Sequence, residues 1–230
     1  MEKQKIYSEE FVKFADKIRE FENPRIKQTQ NNNDMEYKRN TYLEPKHIES
    51  SYNVNGLGKD LYDLVVEHKP LKIIDFGILY GYSTVCLAQA VQDNGFGEIV
   101  AYDLFEDYEY KNGVKEVVKH NLDFYNCSHL VKLEQQDFYK WLDNPTPFDL
   151  LHVDISNTGD ILIDIKEKLG KFIDNGSIVV FEGGGQIRDE IEWMEKYEAT
   201  KMFPLRETLN YKVLRNDYPT LSAFKNNKIK

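Results

Sequence analysis

Asp75, Gly77, Gly81, Ser83 and Thr84 fall within one short run, KIIDFGILYGYSTVCLAQA at 72–90. An apolar stretch ends in an acid, two glycines follow, and a helix-like stretch opens on two hydroxyls. That order reads as a strand, a tight turn and a helix. In an alternating α/β chain the first such unit is the default place for a nucleotide-type ligand. A dinucleotide turn uses G-x-G-x-x-G so that the backbone can touch a diphosphate. Counted from Gly77, the next two glycine positions hold Leu79 and Tyr82, both bulky. A phosphate-binding P-loop needs a lysine before its Ser/Thr, and none follows Gly77 in this run. The turn is poorly made for phosphates, and a ligand with an adenosine and no phosphate remains.

Four further acids stand at the ends of strand-like runs: Asp103 in VAYDL, Asp137 in LEQQD, Asp154 in FDLLHVD and Glu182 in SIVVFE. Parallel strands would bring all four to one edge of a sheet. Each has a plainer reading. Asp103 suits a solvated strand end, and Asp137 suits an N-cap for the helix that follows it. His152 alternates in phase with Asp154 and reads first as a hydrogen-bonded core histidine. Asp154 and Glu182 end neighbouring strands and could share a pocket as base or as hard-metal ligands.

The run DFGILYGYST resembles the first motif of class I S-adenosylmethionine (SAM)-dependent methyltransferases, in the E/D-x-G-x-x-x-G-x-S-T form of their small O-methyltransferase branch. VAYDL, LEQQDFYKWL, FDLLHVDIS and LGKFIDNGSIVVFEG are similar to the family's later motifs and occur in the same order, from about residue 52 to the C-terminus. The resemblance implies SAM as cofactor, held by Asp75, Gly77, Tyr80, Gly81, Ser83, Thr84 and Asp154. It assigns Asp103 to the ribose hydroxyls, Asp137 to the adenine amino group and Phe138 to the adenine ring. It implies methyl transfer to a small-molecule or carbohydrate acceptor, with a hydroxyl oxygen as the expected nucleophile.

Two departures bear on the chemistry. Metal-dependent relatives follow the fourth-strand acid with Asp-Asn after the fifth strand. This chain has Asp154, then Glu182 and Gly183, so the third ligand is missing and no metal is expected; Asp154 and Glu182 would be the pair if there were one. The fourth-strand motif often ends in a histidine, where this chain has Asn157, which cannot act as a base. The catalytic candidates are therefore Asp154, Glu182 and His152. Two alternatives stay open. One is a SAM-binding protein without transferase activity, a regulatory or inactive partner subunit. The other is a nicotinamide-dependent reductase, against which Leu79 and Tyr82 stand.

These residues need a frame. Strand-like runs at 71–77, 97–104, 130–137, 148–155 and 177–183 alternate with helical stretches at 57–68, 82–93, 112–125, 138–143, 159–173 and 187–197. Such alternation predicts a doubly wound α/β fold with a mostly parallel, seven-stranded sheet. NYKVLRND and TLSAFKN, with no helix between them, predict an antiparallel C-terminal hairpin at one edge. The Gly183–Gly185 run reads as a flexible turn that makes room near the pocket. Ahead of this domain, taken as 57–230, residues 1–56 read as an N-terminal helix and lid. Phe11, Phe14, Ile18 and Phe21 recur at helical spacing over 8–21. Tyr42, His47 and Tyr52 in the lid, with Asn157, are expected to line the acceptor site.

The chain as a whole sets limits. Its 230 residues suit one domain with a small cap, and 41% hydrophobic and 13% aromatic content supports a core. A formal charge of −9 argues against a nucleic-acid surface. No apolar run reaches membrane-spanning length, and no apolar signal core opens the chain. Cys86 and Cys127 lack metal-type spacing and fit a reducing, cytoplasmic setting. The N-terminal helix also offers a contact for a homodimer.

Overall fold

The fold is seen in a computed structural model that describes residues 42–110 and 112–230. The helix expected over 8–21 lies outside the described residues. The described chain begins with an irregular stretch that turns at 46–48, then a short 3-10 helix at Ser51–Val54. Helix α1 (Leu57–His68) follows Gly56 and ends where Lys69 turns left-handed ahead of Pro70. It buries Leu57, Leu61, Tyr62 and Val65, one stripe at helical spacing.

The expected alternation is then met in full. Strand β1 is Lys72–Phe76, helix α2 Tyr82–Asn94, and strand β2 Glu98–Asp103. Helix α3 (Lys115–Phe124) leads to β3 (Val131–Gln135), and α4 (Phe138–Asp143) to β4 (Leu150–Val153). Helix α5 (Gly159–Asp174) leads to β5 (Ile178–Glu182). The helix expected at 187–197 is two short pieces, α6 (Gln186–Asp189) and α7 (Glu192–Lys196). Asp189 causes the break: its carboxylate accepts the backbone N–H groups of Met202 and Phe203 at 3.0 and 2.8 Å, pinning the chain to the next turn. Helix α8 (Arg206–Leu209) precedes the closing strands β6 (Tyr211–Arg215) and β7 (Leu221–Phe224).

The seven strands stand in the order β3-β2-β1-β4-β5-β7-β6. Strands β1 to β5 are parallel, and β7 pairs antiparallel with both β5 and β6. The terminal hairpin thus sits at the β5 edge, with β7 inside it.

Alternation along the strands builds two cores. Ile73, Leu150, Ile178 and Val180 point to the face covered by α1 and α2; Ile74, Leu151, Val179 and Phe181 point to the face covered by α5. Burying each such side chain is worth about 1.5–3 kcal/mol, which fixes the register. The same alternation puts Asp75 and His152 on one face, and they are partners in the β1–β4 register.

Strand order reverses between β1 and β4, so their carboxyl ends open a crevice. The Gly-rich turns do not share that openness. A Cβ on Gly183 would lie 2.4 Å from Met202 Cε, and one on Gly184 would lie 2.5 Å from Ser222 Oγ. The triple glycine expected to be a flexible turn is instead packed tightly between β5, β7 and the Met202 turn.

Candidate active site

A cavity of about 650 Å³ opens at the carboxyl ends of β1 to β4. Gly77, Asp103, Asp137, Phe138 and Asp154 line it, so five of the expected cofactor residues meet in one place.

Each is positioned by local structure. Gly77 has φ +79, and a Cβ there would lie 2.0 Å from the Asp154 carbonyl oxygen. Only glycine lets the β1 turn pass so close to the end of β4. The turn's next N–H groups, those of Ile78 and Leu79, both donate to Asp103 Oδ2, at 2.8 and 3.0 Å. Asp103 Oδ1 accepts the N–H of Phe105 at 2.9 Å. The donors that a phosphate turn would offer its ligand are spent here on a carboxylate. A carboxylate has about four acceptor positions, so Asp103 keeps one for a ligand hydroxyl. Leu79 itself sits at φ +49, in the left-handed region where a dinucleotide turn has glycine.

Asp137 does cap its helix: its Oδ1 accepts the N–H of Lys140 at 2.9 Å. That bond leaves Oδ2 to the cavity. Phe138 packs edge-on to Phe76 at 5.1 Å, and Tyr102 stacks on the same ring at 4.7 Å. The cavity's apolar wall is therefore a rigid aromatic set. Tyr102, Tyr108, Gln136, Tyr139 and Ser156 also line it, and the sequence reading missed them. Tyr102 and Gln136 each adjoin a predicted acid, which is the signal that could have found them.

Asp75, Ser83 and Thr84 lie beneath the cavity. Asp75 is fully buried; its Oδ2 accepts the hydroxyls of Ser83 and Thr84 at 3.0 and 2.7 Å, and its Oδ1 lies 2.7 Å from His152 Nδ1. The three are tied to one another and to His152, and none reaches the cavity wall. Gly81 (φ +87) presses against Val118, and the carbonyl of Tyr80 accepts Asn121 Nδ2 at 2.8 Å. Both belong to the packing of the turn against α3.

The expected acceptor residues part company. Tyr42 lies against Tyr62 at 5.0 Å and hydrogen-bonds to Glu44. Gln89 holds that segment on α2 by bonding both the N–H and the carbonyl of Leu43, each at 2.9 Å. His47 stacks on Tyr125 and lies 3.2 Å from its hydroxyl. Both side chains are on the α1–α2 side, away from the cavity. Asn157 is buried and donates to the carbonyls of Val153 and Glu182 at 2.9 and 2.8 Å, so it ties β4 to β5 instead of facing a substrate. Tyr52 alone of the four approaches the chemistry. Its hydroxyl lies 3.1 Å from His152 Nε2.

The catalytic candidates are electrically linked. Burial pushes the Asp154 carboxyl up, while His152, the Tyr52 hydroxyl and Arg188 pull it down. Burial works against a charged His152, yet its hydrogen bond and ion pair with Asp75 hold its pKa above the usual histidine value. Glu182 is pushed up to about 7 by burial and by the charge of Asp154, against the pull of Arg188. Arg188 Nε lies 3.0 and 2.9 Å from the two Glu182 oxygens, and its guanidinium stacks on Trp193 at 4.8 Å. Nothing in the sequence pattern marked this arginine.

A divalent cation does not fit here. The guanidinium takes both oxygens of Glu182, Gly183 offers no side chain, and no trio of His, Cys, Asp or Glu among the described residues is arranged to hold a metal.

Residues 74–182 match the family model of a methyltransferase domain. That stretch, just under half of the chain, is similar to a methyltransferase domain. The chain's fold is that of the class I SAM-dependent methyltransferases, with a seven-stranded sheet and antiparallel last strands. The O-methyltransferase TomG from Streptomyces achromogenes, involved in tomaymycin synthesis and solved with SAM, is 18% identical. The match covers 78% of this chain and 82% of that one, with a TM-score of 0.53. The Podospora anserina methyltransferase PaMTH1, solved with SAH, is 15% identical over 94% of this chain and 95% of that one, with a TM-score of 0.52. An O-methyltransferase from Bacillus cereus in complex with SAH is 16% identical over 76% and 83%, also with a TM-score of 0.52. Comparison with curated protein sequences yields no match.

Proposed function

We propose that this methyltransferase uses SAM to methylate a hydroxyl oxygen of a small-molecule or carbohydrate acceptor. The observation that carries the reading is the cavity at the switch point, where two carboxylates with free acceptor positions meet an aromatic wall. That set suits an adenosine: Asp103 for a ribose hydroxyl, Asp137 for the adenine amino group, Phe138 for the ring. Two of the similar structures hold SAH and one holds SAM, which supports the same cofactor here.

When bound, SAM supplies an already activated methyl group, so the protein's work is alignment and proton removal. Asp154 is the carboxylate that both lines the cavity and ends β4, and we assign it the acceptor's proton. Glu182, bound to Arg188, sets the local charge and does not act on substrate. Tyr108 and Tyr139 offer flat surfaces of the kind sugars and aromatic rings pack on. Cys86 and Cys127 are both buried and not joined in a disulfide, in keeping with a reducing, cytoplasmic setting.

The test is isothermal titration with SAM and SAH, on the intact protein and on Asp137→Asn and Asp103→Ala. Losing a hydrogen bond to a charged group costs about 1.5–3 kcal/mol, so affinity should fall about 10- to 100-fold in each variant. Binding would justify a screen of hydroxylated acceptors. Failure of the intact protein to bind either compound would overturn the reading.

A further inference from the structure

Tyr82 opens α2 directly after the cavity turn, where a dinucleotide turn has the glycine that lets helix and strand pack closely. The side chain is buried and does not line the cavity. It lies instead in a notch on α1, and a glycine makes that notch. A Cβ on Gly58 would lie 2.7 Å from Tyr82 Cε1, 2.9 Å from the Tyr42 hydroxyl and 2.5 Å from Cys86 Sγ. Gly58 stands within α1, where glycine is disfavoured relative to alanine, and its missing side chain is the room that Tyr82 occupies.

The hydroxyl of Tyr82 has a defined partner. It donates to Glu44 Oε1, while the Tyr42 hydroxyl donates to Glu44 Oε2 at 2.7 Å. Glu44 is held in place by its neighbour: Gln89, further along α2, bonds both the N–H and the carbonyl of Leu43 at 2.9 Å. The Tyr82 ring also meets Tyr52 edge-on at 5.8 Å, and Tyr52 in turn lies 3.1 Å from His152 Nε2. The segment 42–55 therefore grips the first residue of α2 at two places, Glu44 and Tyr52.

This grip bears on the cavity through a short, stiff connection. The N–H of Gly81 donates to the Ile78 carbonyl at 2.7 Å, and the N–H of Val85 donates to the Gly81 carbonyl at 2.9 Å. On the cavity side, the N–H groups of Ile78 and Leu79 are held by Asp103 Oδ2. Gly77 and Leu79 line the cavity. The turn thus has a support at each end: Asp103 in front, and behind it the residue that follows Gly81. Gly81 has no side chain of its own, so the side-chain contact that fixes this end falls to Tyr82.

We propose that Tyr82 is a positioning residue for the cofactor: clamped by Glu44, it holds the start of α2 and with it the Gly77–Gly81 turn in the path that shapes the cavity. The proposal rests on the SAM reading above. Tyr82 acts through the turn and not by touching the ligand. The bulk that makes position 82 unfit for a diphosphate turn is then an anchor, and the segment 42–55 is part of the cofactor site's support. A residue that only filled the core would serve as well without its hydroxyl, and that difference is what the test reads.

The experiment uses the full-length protein in four forms: wild type, Tyr82→Phe, Glu44→Gln and Tyr211→Phe. Tyr82→Phe removes the hydroxyl and keeps the ring. Glu44→Gln puts an NH₂ donor where one acceptor oxygen was. Tyr211→Phe is the matched control: its buried hydroxyl donates to the carbonyls of Gly184 and Met202, away from the turn. Two quantities are measured, amide hydrogen exchange at Ile78 and Leu79 in the free protein and the affinity for SAH by isothermal titration. In Tyr82→Phe and Glu44→Gln the two amides should exchange faster, and the SAH dissociation constant should rise about 5-fold or more, the lower end of energetic coupling between sites. The double variant should bind SAH no more weakly than the weaker single variant, because both changes break the same contact. Tyr211→Phe should melt at lower temperature with both quantities unchanged.

An SAH affinity equal to the wild type's in Tyr82→Phe and Glu44→Gln would overturn the proposal, even with a lowered melting temperature. So would an equal loss in Tyr211→Phe, since the effect would then be general loosening. Should one of the two variants fail to fold, the other decides alone. Wild-type protein that does not bind SAH, with faster exchange at Ile78 and Leu79 in Tyr82→Phe, would remove the cofactor reading and leave Tyr82 as the support of the turn.

Discussion

Arg188 Nε sits 2.9–3.0 Å from both carboxylate oxygens of Glu182, and both residues are almost wholly buried. Even with this partner, the Glu182 carboxyl is pushed from the usual 4.5 to about 7, because burial and the nearby Asp154 charge outweigh the arginine. A carboxyl raised in the folded state binds more protons folded than unfolded. Its stabilising effect is complete below about 4.5 and is lost as pH rises through about 7. His152 and Asp154, both also raised, act in the same sense. Urea unfolding should therefore show stability falling across this window, with Glu182 contributing up to about 3 kcal/mol at about 1.4 kcal/mol per unit. Glu182→Gln should flatten the slope. A slope as steep in Glu182→Gln as in the wild type would place the titrating group elsewhere.

The same pairing bears on metals. A cation binding at Asp154 and Glu182 would have to displace a buried guanidinium, which removes the compensation for a buried charge and costs about 3–5 kcal/mol. A ligand that binds the folded state raises the melting temperature in proportion to RT ln(1 + [L]/Kd). Mg²⁺ should accordingly leave the melting temperature unchanged, and EDTA should leave SAM affinity unchanged. A concentration-dependent rise with Mg²⁺, absent in Glu182→Gln, would show that the pair does hold a cation.

What the sequence could and could not reveal follows from the range of the interactions involved. The strands were legible because each is a short apolar run between turn residues, and Asp103, Asp137 and Asp154 because acids that end parallel strands must gather at one sheet edge. Tyr42 and His47 were assigned to the acceptor site because aromatic residues in a long polar segment suit a lid. Their places are decided by partners far along the chain, Gln89 and Tyr125, which local pattern does not encode. Arg188 was invisible for the same reason: its role depends on the end of β5 and on Trp193, and its own neighbours, GGGQI, show no period. The break between α6 and α7 depends on Asp189 reaching the Met202 turn, again a contact outside any local window.

Gly77 should tolerate no side chain. At φ +79 an alanine is strained by about 1–3 kcal/mol, and its Cβ would sit 2.0 Å from the Asp154 carbonyl oxygen. Backbone, not a flexible side-chain tip, would have to move. The β1 turn and the end of β4 would separate, and both line the cavity. Gly77→Ala should lower the melting temperature and abolish SAM binding together. Gly170→Ala, at a helical position with nothing within 4 Å, should leave SAM binding unchanged and raise the melting temperature slightly, since alanine is favoured over glycine in a helix by about 0.5–1 kcal/mol, and it serves as the control. Retained SAM affinity in a destabilised Gly77→Ala would mean that the turn's path is not what shapes the site.

Asp103 has two jobs, and they can be separated. It holds the turn through the N–H groups of Ile78 and Leu79, and it presents its remaining acceptor position to the cavity. Asp103→Ala removes both and leaves three backbone donors, those of Ile78, Leu79 and Phe105, without their acceptor, at about 1–3 kcal/mol each if they stay buried. Asp103→Asn keeps one carbonyl oxygen, which can still accept from the turn, and puts an NH₂ donor where the second oxygen was. A donor cannot accept from a ribose hydroxyl. Asp103→Asn should therefore keep most of the stability lost in Asp103→Ala while losing SAM affinity about 10- to 100-fold. Urea unfolding beside isothermal titration reads the two effects apart. If Asp103→Asn bound SAM as tightly as the wild type, Asp103 would be a clamp for the turn alone, and the ribose would have to be held by another group on the cavity wall.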